Sequence, residues 1–205
     1  FNDLSVNYQP KICTRTQRVY GFEALIRWKH PTLGFIAPDV FIPLAEETSL
    51  ISEIGSIVLN ETCKQIRIWK KHGFNNFRVS INVVAQQIYR GRLIEEIDEA
   101  LAKYRLSGDM LELELTESTL IDQTKEVNDL LQQLKDRDIS ISLDDFGTGY
   151  SSLAYLTSYP FDVLKIDRAF ISKIGNEKDE AIVIAIIAMG KAIGITMVAE
   201  GVETK

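Results

Sequence analysis

Strand-like and helix-like segments alternate along this chain, and this alternation limits the folds that it can adopt. Strands are predicted at Val79–Val83, Leu111–Leu115, Ser140–Asp144, Val163–Ile166 and Thr196–Glu200, with a hairpin formed by Val6–Lys11 and Val19–Trp28. Helices are predicted between them, at Pro38–Glu47, from Ile51 to Trp69, and at Leu93–Tyr104, Lys125–Asp136 and Glu180–Ile193. Repeated strand–helix units predict parallel strands with helices packed outside, in either a barrel or a doubly wound sheet.

The side-chain pattern within the strands favours the barrel. In a doubly wound sheet helices cover both faces, so both faces of each strand should be apolar. Here Leu111, Leu113 and Leu115 share one face of a strand, whereas Glu112 and Glu114 share the other. We therefore expect a (β/α) barrel whose polar interior opens at the carboxyl ends of the strands. Polar residues from six strands are predicted to reach that opening: Glu23, Asn82, Glu114, Asp144, Lys165 and Glu200.

Composition and charge exclude several classes of protein. With 205 residues, 45% of them hydrophobic, the chain is expected to form a single domain over residues 1–205. A net charge of −6 without an evident basic stripe argues against a DNA or RNA duplex as partner. No apolar run approaches the roughly 18 residues of a membrane helix, so direct membrane insertion of this domain is not expected. Cys13 and Cys63 form no CxxC motif, which favours a reducing, cytoplasmic compartment.

The clustered polar residues have the chemistry of a site for hard cations. Glu23, Asn82, Glu114, Asp144, Asp145 and Glu200 offer only oxygen ligands, which suit Mg²⁺, Mn²⁺ or Ca²⁺ better than Zn²⁺. Adjacent Asp144 and Asp145 are candidates to bind two cations. In sites that transfer phosphoryl groups with two metals, the metal ions lie roughly 3.5–4 Å from each other. Lys165 and Arg27 would then donate to water or to phosphate oxygens.

Each of these residues also has an ordinary structural interpretation. An Asp-Asp pair after a strand is usually a turn or a helix cap, and Glu112 is interpretable as an interior residue paired with a lysine. The string Asp145-Phe-Gly147 resembles the kinase metal motif, but the chain lacks the Gly-rich loop and the HRD string of kinases. The recurrence of polar residues at the ends of six strands favours the functional interpretation.

The motifs closely resemble those of the EAL-domain cyclic di-GMP phosphodiesterases. The resemblance runs from about Tyr8 to the last residue and includes Glu23-Ala-Leu-Ile-Arg27, Asn82, Glu114-Leu-Thr-Glu117, Asp144-Asp-Phe-Gly-Thr-Gly149, Lys165-Ile-Asp167 and Ala199-Glu-Gly-Val-Glu203. It implies an α/β fold, a modified TIM-like (β/α) barrel with an antiparallel first strand. Because the family pattern continues past Glu203 through another helix and strand, the resemblance implies a fold truncated at the C-terminus.

The resemblance also implies a role for each site residue. Glu23, Asn82, Glu114 and Asp144 would hold one Mg²⁺ or Mn²⁺, and Asp144, Asp145 and Glu200 the second. Glu23, Asp145, Lys165 and Glu200 are the implied catalytic residues, with Lys165 orienting or helping to deprotonate the attacking water. Arg27 and Leu25 would bind the substrate, and Glu117 would anchor the loop 145–149. The implied reaction is hydrolysis of cyclic di-GMP to linear pGpG, with Ca²⁺ inhibitory because its larger, irregular coordination does not suit a compact two-metal site.

Two other functions are compatible with parts of the pattern. A catalytically silent cyclic di-GMP receptor would bind the same ligand, but receptors of this family commonly lose metal ligands or the loop motif, and this chain keeps both. An enolase-like barrel would also use carboxylates and Mg²⁺, although the motif spacing here is of the EAL type. The resemblance further implies fused sensor or GGDEF domains, homodimers, and a cytoplasmic location that includes cytoplasmic domains of membrane-anchored proteins.

Overall fold

The computed structural model describes residues 3–120, 125–147, 156 and 158–202. Its contacts divide the chain into two compact units, one of residues 1–113 with 137–139 and the other of residues 114–136 with 140–205. Strand β5 (Leu111–Thr116) begins in the first unit and ends in the second. None of the helices among the described residues combines the length and the apolarity that crossing a bilayer requires.

The first unit begins with the antiparallel hairpin that the sequence predicts. Its strands are β1 (Leu4–Ile12), β2 (Val19–His30), β3 (Gly34–Ile36) and β4 (Arg78–Val83), and its helices are α1 (Pro38–Glu47), α2 (Ile51–Lys71), α3 (Ala85–Tyr89) and α4 (Leu93–Tyr104). Strand β1 pairs antiparallel with β2, whereas β4 pairs parallel with β2, so that Glu23 lies opposite Ser80. The predicted antiparallel first strand is therefore confirmed.

An aromatic cluster fixes the end of α2 against the start of β2. The ring centroids of Trp69 and Phe22 lie 4.5 Å apart, and those of Trp69 and Phe77 lie 5.5 Å apart. Upstream, Ile66 and Cys63 on the same helix are fully buried. Burial of such large apolar groups stabilises the packing of α2 far more than its helix propensity does.

The second unit contains parallel strands joined through helices. Its elements are α5 (Lys125–Lys135), β6 (Ser140–Phe146), β7 (Val163–Ile166), α6 (Arg168–Ile171), α7 (Glu177–Ile193) and β8 (Thr196–Ala199). Strand β7 pairs parallel with both β6 and β8. Helix α7 begins three residues before the predicted Glu180, because the side chain of Asn176 accepts a hydrogen bond from the Lys178 amide and caps the helix there.

Within the described part of the chain, several short elements were not predicted from the sequence. They are β3, α3 and α6, which have three, five and four residues, and the 3₁₀ helices Gly108–Met110 and Glu117–Leu120. Segments this short contain too few residues to show a period of two or of 3.6, so periodicity cannot identify them. The longer strands and helices that the structure describes were all predicted, with boundaries that differ by a few residues.

A buried ion pair connects β1 and β5 within the first unit. Lys11 Nζ lies 2.8 Å from Glu112 Oε1, and the two side chains are 9% and 6% exposed. The ordinary structural role expected for Glu112, pairing with a lysine, is therefore confirmed. A charge at this depth is tolerated only because the opposite charge is in contact with it.

The variant Lys11→Met is expected to lower the free energy of unfolding by about 3 kcal/mol, because the Glu112 carboxylate stays buried without its ammonium partner. Urea denaturation measures the loss, and Lys11→Met/Glu112→Leu should recover most of it. Lys64→Met is the control, since the Lys64–Glu61 pair is about half exposed and contributes at most about 1 kcal/mol. If both single variants cost the same, the buried pair does not stabilise the fold.

The two cysteines have different environments. Cys63 is fully buried in α2, and burial raises the pKa of its thiol to about 12. Cys13 lies in the turn between β1 and β2, where hydrogen bonds from the side chain and amide of Thr16 and from the Arg15 amide lower the pKa of its thiol. Because the thiolate is the reactive form, the two residues should react at very different rates.

A disulfide reagent such as DTNB is expected to modify Cys13 rapidly at pH 8 and to modify Cys63 only after denaturation. The absorbance of the released thiolate should therefore rise in one fast phase equivalent to a single thiol. Cys13→Ser should remove that phase, whereas Cys63→Ser should leave it unchanged. A fast phase that persists in Cys13→Ser would show that α2 opens to expose Cys63.

Candidate active site

Lys165 lies among three carboxylates in the second unit. Its Nζ lies 2.7 Å from Glu114 Oε2, 2.7 Å from Asp144 Oδ2 and 2.6 Å from Glu200 Oε1. The Lys165 side chain is 2% exposed and that of Glu114 is 0% exposed. The structure thus brings together four residues that the sequence predicted at the ends of four strands.

The charges in this cluster do not balance. An ammonium has three N–H donors, and Lys165 contacts as many carboxylates as it has donors. Charge-assisted hydrogen bonds of this kind are strong in a site from which water is largely excluded. The single positive charge of Lys165 nevertheless does not neutralise three carboxylates, and the remaining negative charge favours additional cations.

A β-bulge places two consecutive aspartates opposite Lys165. In the pairing of β6 with β7, Leu143 lies opposite Leu164 and Phe146 lies opposite Ile166. Two residues of β6, Asp144 and Asp145, therefore oppose the single residue Lys165 of β7. Asp145 has φ +56°, in the left-handed region, and its amide donates to Asp144 Oδ1 at 2.8 Å. Bulges change side-chain direction locally and are common beside functional sites.

Burial, together with neighbouring acidic side chains, raises the pKa of two of the carboxyls. Burial raises the pKa of Asp145, the charges of Asp144 and Asp167 raise it further, and Lys165 opposes the shift. Burial likewise raises the pKa of Glu200, against the effect of Lys165. Both carboxyls therefore lie where a negative charge is costly unless cations offset it.

Asp167 is a site residue that sequence reasoning missed. Its charge affects the pKa of Asp145, and its Oδ1 accepts a hydrogen bond from the Ala169 amide at 2.8 Å, capping α6. The signal was present in the string Lys165-Ile166-Asp167, where residues two apart share one face of a strand.

The first unit holds four further predicted site residues. Asn82 Nδ2 donates to Glu23 Oε1 at 3.1 Å, which joins β4 to β2 through their side chains. Leu25 and Arg27 follow Glu23 at intervals of two along β2 and are half-buried. Arg27 Nη1 donates to the Ile26 carbonyl oxygen at 2.8 Å. The assignment of these four residues to metal and substrate binding stays a prediction.

Glu117 is buried at the start of a 3₁₀ helix, Glu117–Leu120, directly after β5. It was predicted to anchor the loop 145–149. Residues 148 and 149 lie outside the described residues. The anchoring role of Glu117 therefore stays a prediction.

Gly147 follows the aspartates and packs tightly against α6. Its φ of +94° is a conformation that other residues rarely adopt. A Cβ atom at this position would lie 2.8 Å from two ring carbons of Phe170. Both the backbone conformation and the close approach therefore require glycine here.

The donor chemistry of the second-unit cluster fits a divalent cation. Within residues 3–120, 125–147, 156 and 158–202, no three His, Cys, Asp or Glu side chains are arranged to share one metal ion. Lys165 Nζ instead lies where Glu114, Asp144 and Glu200 converge. Their oxygens are the ligands that Mg²⁺ and Mn²⁺ prefer, and their combined charge exceeds that of the ammonium.

Comparison with known proteins identifies the family. The EAL domain family profile matches residues 2–205. The bifunctional diguanylate cyclase/cyclic di-GMP phosphodiesterase MucR of Pseudomonas aeruginosa is 43% identical over 203 residues, which are 98% of this chain and 30% of that protein. The cyclic di-GMP phosphodiesterase NbdA of the same organism is 42% identical over 204 residues, 99% of this chain and 26% of that protein. The chain thus spans less than a third of either relative.

Solved structures share the fold. The PaMucR phosphodiesterase in complex with c-di-GMP has a TM-score of 0.94 and 43% identity, covering 100% of this chain and 83% of that one. The EAL enzyme Bd1971, bound to cAMP and cyclic di-GMP, has a TM-score of 0.93 and 33% identity, covering 98% of this chain and 56% of that one. The predicted fold class, an α/β fold of the modified TIM-like type with an antiparallel first strand, is confirmed.

The fold defines an α/β protein of the modified TIM-like barrel type. The chain belongs to the EAL domain family.

Proposed function

We propose that this chain is a metal-dependent phosphodiesterase that hydrolyses cyclic di-GMP to linear pGpG. The observation that carries the proposal is the contact of Lys165 with Glu114, Asp144 and Glu200. Cyclic di-GMP as substrate is supported by the names of MucR and NbdA and by the ligand of the similar PaMucR structure. In the reaction, water adds to a phosphorus atom, the bond to a ribose 3′ oxygen breaks, and a proton passes to that oxygen.

The metal ligands in this proposal are those that the sequence motifs indicate. Glu114, Asp144, Asp145 and Glu200 of the second unit, with Glu23 and Asn82 of the first, would hold two Mg²⁺ or Mn²⁺ ions. When bound, such ions lower the pKa of water and neutralise charge on the phosphate oxygens. The choice of ion and the number bound belong to the proposal.

Lys165 acts in this proposal as a donor rather than as a base. A lysine that contacts three carboxylates is an ammonium, and an ammonium has no lone pair with which to accept a proton. We therefore assign Lys165 to orienting water or to stabilising charge on the phosphate. One of its N–H groups becomes available for this role when one of the three carboxylates binds a metal ion instead. Arg27 would contact a second phosphate oxygen, with Leu25 beside the substrate.

The test is to incubate the purified chain with cyclic di-GMP and either Mg²⁺ or Mn²⁺, and to follow pGpG by chromatography. Hydrolysis that stops on chelation and in Ca²⁺ alone supports the proposal. Calorimetric binding of cyclic di-GMP without turnover in any of these ions would assign the chain to the receptor class instead. Full turnover in the presence of a chelator would contradict the metal dependence.

A further inference from the structure

Basic residues are concentrated in two segments of the first unit. Residues 12–20 and 62–78 contain seven Lys and Arg and no Asp or Glu, although acidic residues outnumber basic ones 29 to 23 in the whole chain. All 29 Asp and Glu therefore lie elsewhere. The net charge of −6 is a sum over the whole chain and does not show this segregation.

The fold brings these two segments to one end of the first unit. Gly21, near the start of β2, pairs with Arg78 at the start of β4. The contacts of Trp69 with Phe22 and Phe77 fix the end of α2 beside both strands. The turn between β1 and β2 lies at the same end of β2. The six cations there, which we term the basic surface, are Arg15, Arg18, Arg67, Lys70, Lys71 and Arg78.

The charges of the basic surface are not neutralised by neighbouring side chains. Among the described residues, none of the six forms an ion pair with Asp or Glu, and the seventh cation, Lys64, pairs with Glu61. Arg78 Nε donates to the main-chain oxygen of Asp109 rather than to a carboxylate. Stabilisation of the α2 C-terminus would explain Lys70 and Lys71 but not the arginines on the turn and on β4.

Exposed apolar side chains lie among these cations. Phe74 is 62% exposed directly after the end of α2, while Ile12 and Val19, which pair across the hairpin, are 48% and 47% exposed. Cations that contact anionic head groups, combined with apolar side chains that enter the interface, are the features of peripheral membrane surfaces. A nucleic-acid duplex, or a peptide with acidic side chains alone, would use the cations but not the apolar side chains.

We propose that the basic surface docks onto a bilayer that contains anionic lipids. In β4 the basic surface contributes Arg78, the first residue of the strand. Asn82 lies four residues further along the same strand, about 13 Å from Arg78. Docking would therefore leave the Glu23 and Asn82 end of the first unit directed away from the lipid. The inference does not depend on the proposed hydrolysis.

Flotation with lipid vesicles tests this proposal. The chain is expected to bind vesicles of phosphatidylglycerol and phosphatidylcholine at low ionic strength, and to bind pure phosphatidylcholine at least about tenfold less. Lys70→Glu/Lys71→Glu should lower binding about tenfold or more. The control Lys173→Glu/Lys178→Glu makes the same charge change at exposed lysines of the second unit and should bind as the parent does.

Phe74→Ser, which changes no charge, should weaken binding severalfold while the unfolding midpoint stays unchanged. Absence of binding to the anionic vesicles, or an equal loss in the second-unit control, would overturn the proposal. Tighter binding to polyglutamate or to an RNA duplex than to the vesicles would also overturn it, by identifying an acidic macromolecule as the partner.

Discussion

Asp145→Asn is expected to lower the rate of cyclic di-GMP hydrolysis by about 10²- to 10³-fold or more while the fold is retained. The substitution removes one negative charge from the proposed cation site without changing the size of the side chain. Asn tolerates the left-handed backbone that Asp145 adopts at φ +56°, so the bulge should persist. The repulsion from Asp144 and Asp167 disappears, so thermal unfolding should occur at an equal or higher temperature.

The structure provides a matched control for this variant. Asp138 is an exposed aspartate that also adopts a left-handed backbone, at φ +59°, and none of the site predictions includes it. Asp138→Asn should hydrolyse cyclic di-GMP at the parent rate, and Glu23→Ala should be as inactive as Asp145→Asn. Near-normal turnover in Asp145→Asn would show that the metal assignment is wrong.

Lys165→Met is expected to destabilise the chain by about 3–5 kcal/mol and to abolish hydrolysis. The Lys165 side chain is 2% exposed, and its removal leaves Glu114, Asp144 and Glu200 without the ammonium that they share. A loss of this size is a large fraction of the roughly 5–15 kcal/mol that stabilises a typical domain. Urea denaturation measures it. Added Mn²⁺ should stabilise this variant more than the parent, because bound cations would replace the missing charge.

Two further variants distinguish charge from geometry. Lys165→Arg keeps the positive charge and should recover much of the stability, but not the hydrolysis, because a planar guanidinium cannot reproduce the contacts of an ammonium. Lys135→Met breaks a pair with Asp162 whose side chains are both 33% exposed, and should cost at most about 1 kcal/mol. If Lys165→Met unfolds at the same urea concentration as the parent, the buried cluster is not held by its charges.

The contacts around Lys165 were predictable from the sequence because strand geometry is regular. Alternation along β5 placed Glu114 opposite the leucine face, and the carboxyl ends of parallel strands meet at one edge, so Glu114, Asp144, Lys165 and Glu200 were expected to converge. Of these, Glu114 is the most deeply buried. The interior position of Glu112 followed from the same alternation and is confirmed by its contact with Lys11.

Features that depend on irregular backbone or on pairing in space were missed. Alternation alone places Asp144 and Asp145 on opposite faces, whereas the bulge sets both against Lys165, and no simple sequence period encodes a bulge. The basic surface was missed because net charge is a sum over the chain. Arg15 and Arg78 are far apart in sequence, and only the pairing of β2 with β4 brings their segments together.

The contact between Gly147 and Phe170 has a consequence for how motion passes through the second unit. Because a single methyl group at position 147 would already touch the ring, no space separates the end of the aspartate strand from α6. Close-packed groups of this kind cannot absorb a displacement by compression, so a shift of Gly147 must move Phe170 or rotate its ring. Any event that repositions Asp145 is therefore expected to reach the solvent-facing side of α6, where Arg168 is exposed.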